Sequence, residues 1–174
     1  MTANIKRLMA ATTLGCALAG CQSHGTGQSA PGSTSAGGAG GTSRAAKPID
    51  ACSMLSPQDV SGLLGVTVAG KSNGKNPQLG DCSWENPSTL ESISIQISNP
   101  GTAVRNTLPP PPAGMPDMSK PGPDGMRLMG GGMVEFAAGN RVNTVQVAVL
   151  RLSADQANSA AIDLARKISP QVPG

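Results

Sequence analysis

Ser92 to Ser98 alternates without a break: Ile93, Ile95 and Ile97 face one way, and Ser94, Gln96 and Ser98 face the other. Period two predicts a strand with one buried and one wet face, the habit of antiparallel sheet. The alternation returns in Arg141 to Leu150, where Val145, Val147 and Val149 share a side. Met133 to Phe136 precedes that run across Gly139-Asn140, a hairpin signal. Cys82 to Glu85 reads as a further strand. Its Cys82 and Trp84 are two apart and share a face, which predicts Trp84 as a core plug rather than a ligand platform. Val66-Thr67-Val68 reads as another strand, and residues 70–76 as a turn or exposed loop.

Two stretches carry helical spacing instead. Ser56 can cap a helix, Pro57 suits its first position and Asp59 favours its positive end. Val60, Leu63 and Leu64 form one apolar stripe and Gly65 is a natural stop, so a short helix is expected over 57–64. Ser153-Ala154-Asp155-Gln156 is a second capping sequence. Ala157, Ala161, Leu164 and Ile168 follow on one face, with Arg166 and Lys167 in the last turn and Pro170 as the stop. The order helix, strands, strands, helix predicts an α+β fold. A single antiparallel sheet carries the short N-terminal helix and the amphipathic C-terminal helix on one face. The other face, with Ser94, Gln96, Thr144 and Gln146, should be wetter. Between Asn99-Pro100 and the hairpin the period is lost. Pro109 to Pro112, Pro116, Pro121 and Pro123 make an extended segment, expected to be a loop near 107–131.

The N-terminal pattern is different in kind. A short start with Lys6 and Arg7 leads into 13 uncharged residues, Leu8 to Gly20. That run is too short for a membrane-spanning helix, which needs about 20 apolar residues, and fits the apolar region of a secretory signal. It ends in Leu18-Ala19-Gly20-Cys21, which resembles the lipobox of bacterial lipoproteins. The resemblance implies cleavage between Gly20 and Cys21, with diacylglyceryl on the Cys21 sulfur and acyl chains (a palmitate among them) anchoring the chain. Two or more chains hold a protein on a bilayer, at about 0.8 kcal/mol per buried CH₂. The expected organisation is a signal peptide at 1–20, lipidated Cys21 with a Gly/Ser/Thr tether to residue 47, and one globular domain at 48–174. The location is then the extracytoplasmic face of the cell membrane. Cys16 would leave with the leader, and His24 lies in the tether.

Composition narrows what the domain can do. The chain has 13 Lys+Arg and 10 Asp+Glu; without Lys6 and Arg7 the balance is 11 to 10. That near-neutrality, with no basic run or aromatic platform, argues against nucleic acid. Trp84 and Phe136 are the aromatics, so an aromatic-lined sugar or base site is not expected. Cys52 and Cys82 in an exported domain favour a disulfide. Free or metal-binding thiols are the alternative, a poor zinc set with His24 far away in the tether.

Asp50-Ala51-Cys52-Ser53-Met54-Leu55-Ser56-Pro57, then Leu63-Leu64-Gly65, then Cys82-Ser83-Trp84, is similar to an uncharacterised family of actinobacterial lipoproteins. Members open with Asp-Pro-Cys-x-Leu-Leu-Thr-Pro and carry a later Cys-x-Trp; Ala51 stands where the second position is usually Pro. The likeness covers residues 48–169 and implies a lipid-anchored envelope protein with a Cys52–Cys82 bridge. It implies no activity. A more distant similarity to the PsbP/Mog1-like architecture rests on element order.

Chemistry is sparse. A hydrolase triad needs a base, and the globular part has no histidine. Its carboxylates (Asp50, Asp59, Asp81, Glu85, Glu91, Asp117, Asp124, Glu135, Asp155, Asp163) are scattered, and Gly130-Gly131-Gly132 lacks the lysine of a phosphate loop. Met115, Met118, Met126, Met129 and Met133 cluster; thioethers suit Cu(I), yet loop packing is the simpler use of flexible side chains. The expectation is a non-enzymatic, cofactor-free envelope module that binds a protein or lipid partner. The alternatives are a carrier of a small apolar ligand under the Pro/Met-rich loop, and an enzyme with a dispersed carboxylate site.

Overall fold

Ser56 starts the first helix by offering its hydroxyl to the Asp59 N–H at 3.2 Å, while the Asp59 carboxylate accepts from the Ser56 N–H at 3.1 Å. These two bonds satisfy donors that a helix start leaves free. The structure, a computed structural model, describes residues 48–114 and 116–174. The leader, Cys21, His24 and the tether lie outside the described residues.

Helix α1 (Pro57–Leu64) ends at Gly65, whose φ of 69° lets its N–H turn back to the Ser61 carbonyl. Asn86 Nδ2 donates to the Leu64 carbonyl and the Arg151 guanidinium to that of Leu63. Helix α2 (Ala154–Ile168) is capped by Ser153 and Gln156 in the same reciprocal way as α1. It buries Ala157, Ala161, Leu164, Ala165 and Ile168, the side that the spacing predicted. No described helix is long and apolar enough to cross a membrane.

Six strands form one antiparallel sheet: β1 (Gly80–Glu85), β2 (Ser92–Ile97), β3 (Lys120–Pro121), β4 (Arg127–Gly130), β5 (Met133–Ala138) and β6 (Arg141–Ala148). Their order across the sheet is β1-β2-β6-β5-β4-β3. Gly139 (φ 59°) and Asn140 (φ 56°) make the two-residue turn between β5 and β6; both adopt the left-handed conformation that a hairpin of this twist requires. Register puts Ile93 opposite Val147, Ile95 opposite Val145 and Trp84 opposite Ile93. One face is therefore a continuous apolar surface. Both helices cover it, joining Val60, Leu64, Leu164 and Ile168 to Trp84, Ile93, Ile95, Val134, Phe136 and Val145 in one core. This is the expected α+β architecture, with both helices on one side.

Cys52 and Cys82 are bonded, with Cα atoms 5.1 Å apart. Cys82 and Trp84 are both buried on the inner face, so Trp84 is the expected plug and not a ligand platform. The chain before β1 crosses this pair at Gly70, where a Cβ would lie 2.5 Å from Cys82 Sγ and 2.7 Å from Trp84 Nε1. Only glycine lets the backbone approach the plug so closely.

Two expectations are corrected. Val66-Thr67-Val68 is not a strand; the run meets β1 at a single bridge, Lys71 to Ser83. Val66 and Val68 are half-buried against the core, so their pattern reports side-chain packing without a backbone partner. The Pro/Met-rich segment is irregular only to Ser119, and then supplies β3 and β4. Lys120 and Pro121 occupy the sheet edge, where the missing proline N–H costs no ladder bond. The connection from β2 runs round the end of the sheet, held there by Gly101 and Ala103 N–H groups donating to the Asn140 carbonyl at 2.9 and 3.1 Å.

Asp59 also ties the helices together, because Lys167 in the last turn of α2 pairs with its second carboxylate oxygen. That contact, then the Ser56 hydroxyl, holds the Asp59 carboxyl below its ordinary 3.8. A depressed folded value means stabilisation that is present above pH 3.8 and lost as pH falls through the lower folded value. Asp59→Asn should lose roughly 1 kcal/mol at neutral pH, as a damaged cap and a half-exposed pair would. Urea titrations from pH 7 down to 2 should show the gap between variant and wild type closing below pH 3.8. An unchanged gap at pH 2 would remove the carboxylate from the explanation.

Candidate functional site

The outer face of the sheet carries the other half of each alternation. Across strands, Arg127 faces Glu135, Glu135 faces Thr144, Thr144 faces Gln96 and Gln96 faces Asp81. The adjoining row runs Met133, Gln146, Ser94, Ser83. These positions are half-buried or exposed, and most are short hydroxyl or amide side chains able both to donate and to accept.

At the β1 end of this face lies a concavity of about 480 Å³, within the range of small-ligand sites. Leu79 and Val142 give it apolar surface, Gln96 and Thr144 line its sheet side, and exposed Lys75 belongs to its loop wall. The loop of residues 72–79 forms that wall because Asp81 holds it: the carboxylate accepts from Asn73 N–H at 2.8 Å and from the Ser72 hydroxyl at 3.3 Å. Gly74 packs against the same carboxylate. Thr102 closes the opposite side. Its hydroxyl donates to the Asn99 carbonyl at 2.8 Å, accepts from Val142 N–H at 2.9 Å and shares a 2.8 Å bond with Ser98. With its bonding capacity used, Thr102 shapes the wall, and Gln96, Thr144 and Lys75 are the groups offered to a ligand.

Arg141 supports this cleft from within. It is 6 % exposed, on the apolar side of β6, and makes no bridge to a carboxylate among the described residues. Instead Nη1 donates to the carbonyls of Gln78 and Ser98, both at 2.7 Å, and Nε to that of Pro173 at 3.0 Å. Burial lowers its pKa from the ordinary value, and the carbonyl dipoles offset the lost hydration. One side chain thus pins the loop wall, the end of β2 and the C-terminal tail. Sequence reading missed it, although Arg141 and Asn143 share parity with Val145 and Val147, which placed two polar side chains on the apolar face.

No family model, curated protein or solved structure matches this chain.

The residues singled out from sequence are largely committed to structure. Cys52 and Cys82 form a bond in the core; Gly20 and Cys21 lie outside the described residues, as does Met115. Met126 is 7 % exposed and packs in the core, whereas Met118 is 84 % exposed and Met129 42 %. Of the clustered thioethers that suit Cu(I), Met126 is therefore spent on packing. The carboxylates are dispersed too. Glu91 is buried and bridges Arg151 at 3.6 Å, Glu135 bridges Arg127 at 3.1 Å, and Asp124 and Asp163 both pair with Arg166. Asp117 accepts from Ser119, which lowers its pKa. Among the described residues no three His, Cys, Asp or Glu side chains are grouped to hold a metal ion. Within the Pro/Met-rich segment there is a smaller concavity of about 330 Å³ at Leu108, Pro121, Met126 and Arg127.

Proposed function

We propose that the chain is a lipid-anchored envelope protein whose domain acts without catalysis, binding a protein partner through the outer face of its sheet. The observation that carries this reading is the one-sided sheet. Its inner face is sealed by two helices, while the outer face presents Ser83, Ser94, Gln96, Thr144 and Gln146 in register. A near-neutral set of short donors and acceptors suits another protein's polar surface better than an anionic lipid or nucleic acid, which calls for basic side chains. The lipobox-like start and the resemblance to envelope lipoproteins supply the expected location, at the end of a tether on Cys21.

A second reading is favoured by the 480 Å³ cleft. It would take a small ligand with an apolar body and a hydrogen-bonding end, at the 72–79 loop rather than under the Pro/Met-rich segment.

Cross-linking the anchored full chain in envelope membranes tests the first reading. Wild type should yield a discrete protein adduct, and Gln96→Arg with Thr144→Arg should reduce it at least tenfold while Trp84 fluorescence stays native. No adduct with wild type would sink the interaction module. Native mass spectrometry of the same preparation addresses the cleft: a bound small molecule lost in the double variant supports the carrier. An unmodified Cys21 thiol in the mature protein would overturn the placement.

A further inference from the structure

The segment Leu108-Pro109-Pro110-Pro111-Pro112 has its backbone dictated by composition alone. Each of the first four residues precedes a proline, which disfavours helical ψ, and each proline sets φ near −65°. Their intersection is polyproline II, a three-residue-per-turn helix with no internal hydrogen bonds. Thr107, which leads in, is extended at φ −117°, ψ 130°, and no cis peptide bond occurs among the described residues.

Burial follows that period. Leu108 and Pro111, three apart, are half-buried, while Pro109, Pro110 and Pro112 are exposed. One edge of a threefold helix lies on the protein and two edges face outward. Leu108 sits at the small concavity with Met126. The segment is also clamped, since Arg127 Nη2 donates to the Pro109 carbonyl at 2.6 Å while Nη1 of the same side chain bonds to Glu135 at 3.1 Å. Arg127 and Glu135 belong to the outer-face row that ends in the cleft, so the proline ridge borders the proposed binding face.

A connection between two strands needs no four prolines held by a half-buried ion pair. We infer that Pro109–Pro112 is a preordered polyproline II ligand, read by a partner protein through a groove of aromatic side chains. Exposed Pro109 and Pro112, one turn apart, would enter adjacent aromatic slots, and Pro110 would present the neighbouring edge. Rigid prolines lose little entropy on docking, and the clamp removes more of that cost. This inference deepens the interaction-module reading and rests on it for the existence of a partner protein.

The test uses the full mature chain and an isolated WW domain of polyproline specificity as the probe, followed by the probe's own tryptophan fluorescence. Wild type should bind saturably. Pro109→Ala with Pro112→Ala should weaken binding at least tenfold, and Arg127→Ala, which keeps every proline, about threefold. Circular dichroism and Trp84 fluorescence establish that the variants fold. Absence of saturable binding by wild type overturns the inference, as does equal binding by the proline variant. So does proline-dependent binding to phosphatidylglycerol vesicles in place of the WW domain, which would make the ridge a membrane contact. The envelope cross-linking separates this from the broader reading. An adduct abolished by the outer-face variant but untouched by the proline variant leaves the module standing without the ridge; no adduct at all removes the module itself.

Discussion

Replacing Cys52 and Cys82 with alanine is expected to remove roughly 3–4 kcal/mol of stability. The bond joins residues 30 apart, and in the chain-entropy account a loop of that length is worth about that much through its restriction of the unfolded chain. The loop encloses α1, the run through Gly70 and the wall of the cleft. Eight-residue α1 cannot hold itself as a helix in water; the bond keeps it beside the sheet that buries Val60 and Leu64. Cys82 is also 1 % exposed and packed with Trp84, so the substitution removes core contacts as well. In urea the midpoint should fall and the slope should rise, because an uncrosslinked chain exposes more surface on unfolding. Trp84 fluorescence reports the transition directly. A loss below about 1 kcal/mol would mean that the aliphatic core holds this corner without the bond.

Arg141→Ala should cost about 3 kcal/mol, a large value for a residue with no acidic partner. Three part-buried bonds from one charged donor, to the carbonyls of Gln78, Ser98 and Pro173, are lost at once, and a hydrogen bond made by a charged group contributes roughly 1.5–3 kcal/mol before relaxation. The effect should also be felt outside the core. With Gln78 released, the 72–79 wall is tied down mainly through Asp81, so amide hydrogen exchange should accelerate at Leu79 and Gly80 relative to β5 and β6. Arg141→Lys tests the geometry. A lysine supplies one ammonium in place of the planar fork, so it should recover part of the stability and less of the loop protection. If Arg141→Ala unfolds at the wild-type urea midpoint, the three carbonyl bonds contribute nothing net.

How far the chain announced its own structure depends on the kind of signal. Strands β2 and β6 were visible because Ile93 to Ile97 and Val145 to Val149 alternate over a full buried face. The hairpin was visible because Gly139-Asn140 suits a two-residue turn and little else. Both helices were marked by reciprocal caps, Ser56 with Asp59 and Ser153 with Gln156, which act within four residues and need no distant partner. Trp84 was legible as a plug from its spacing to Cys82. Strands β3 and β4 were hidden, since Lys120–Pro121 and Arg127–Gly130 carry almost no alternation; pairing with β5 imposes the conformation of β4, and pairing with β4 that of β3. Val66 to Val68 misled in the opposite direction, because β-branched residues advertise burial and burial does not guarantee a ladder.

Sequence alone determined both capped helices, the turn at Gly139-Asn140, strands β2 and β6 and the apolar face of each, because capping, turn chemistry and side-chain period operate over a few residues. It also determined the polyproline run, where steric exclusion between neighbours leaves one conformation. Tertiary structure decided what meets what. The β1-β2-β6-β5-β4-β3 order brings Asp81, Gln96 and Thr144 into one row. It lets Arg141 gather carbonyls from positions 78, 98 and 173, and sets Arg127 against Pro109, 18 residues away. Such contacts follow from the minimum of a whole packed sheet and two helices, and no window of the chain contains that information.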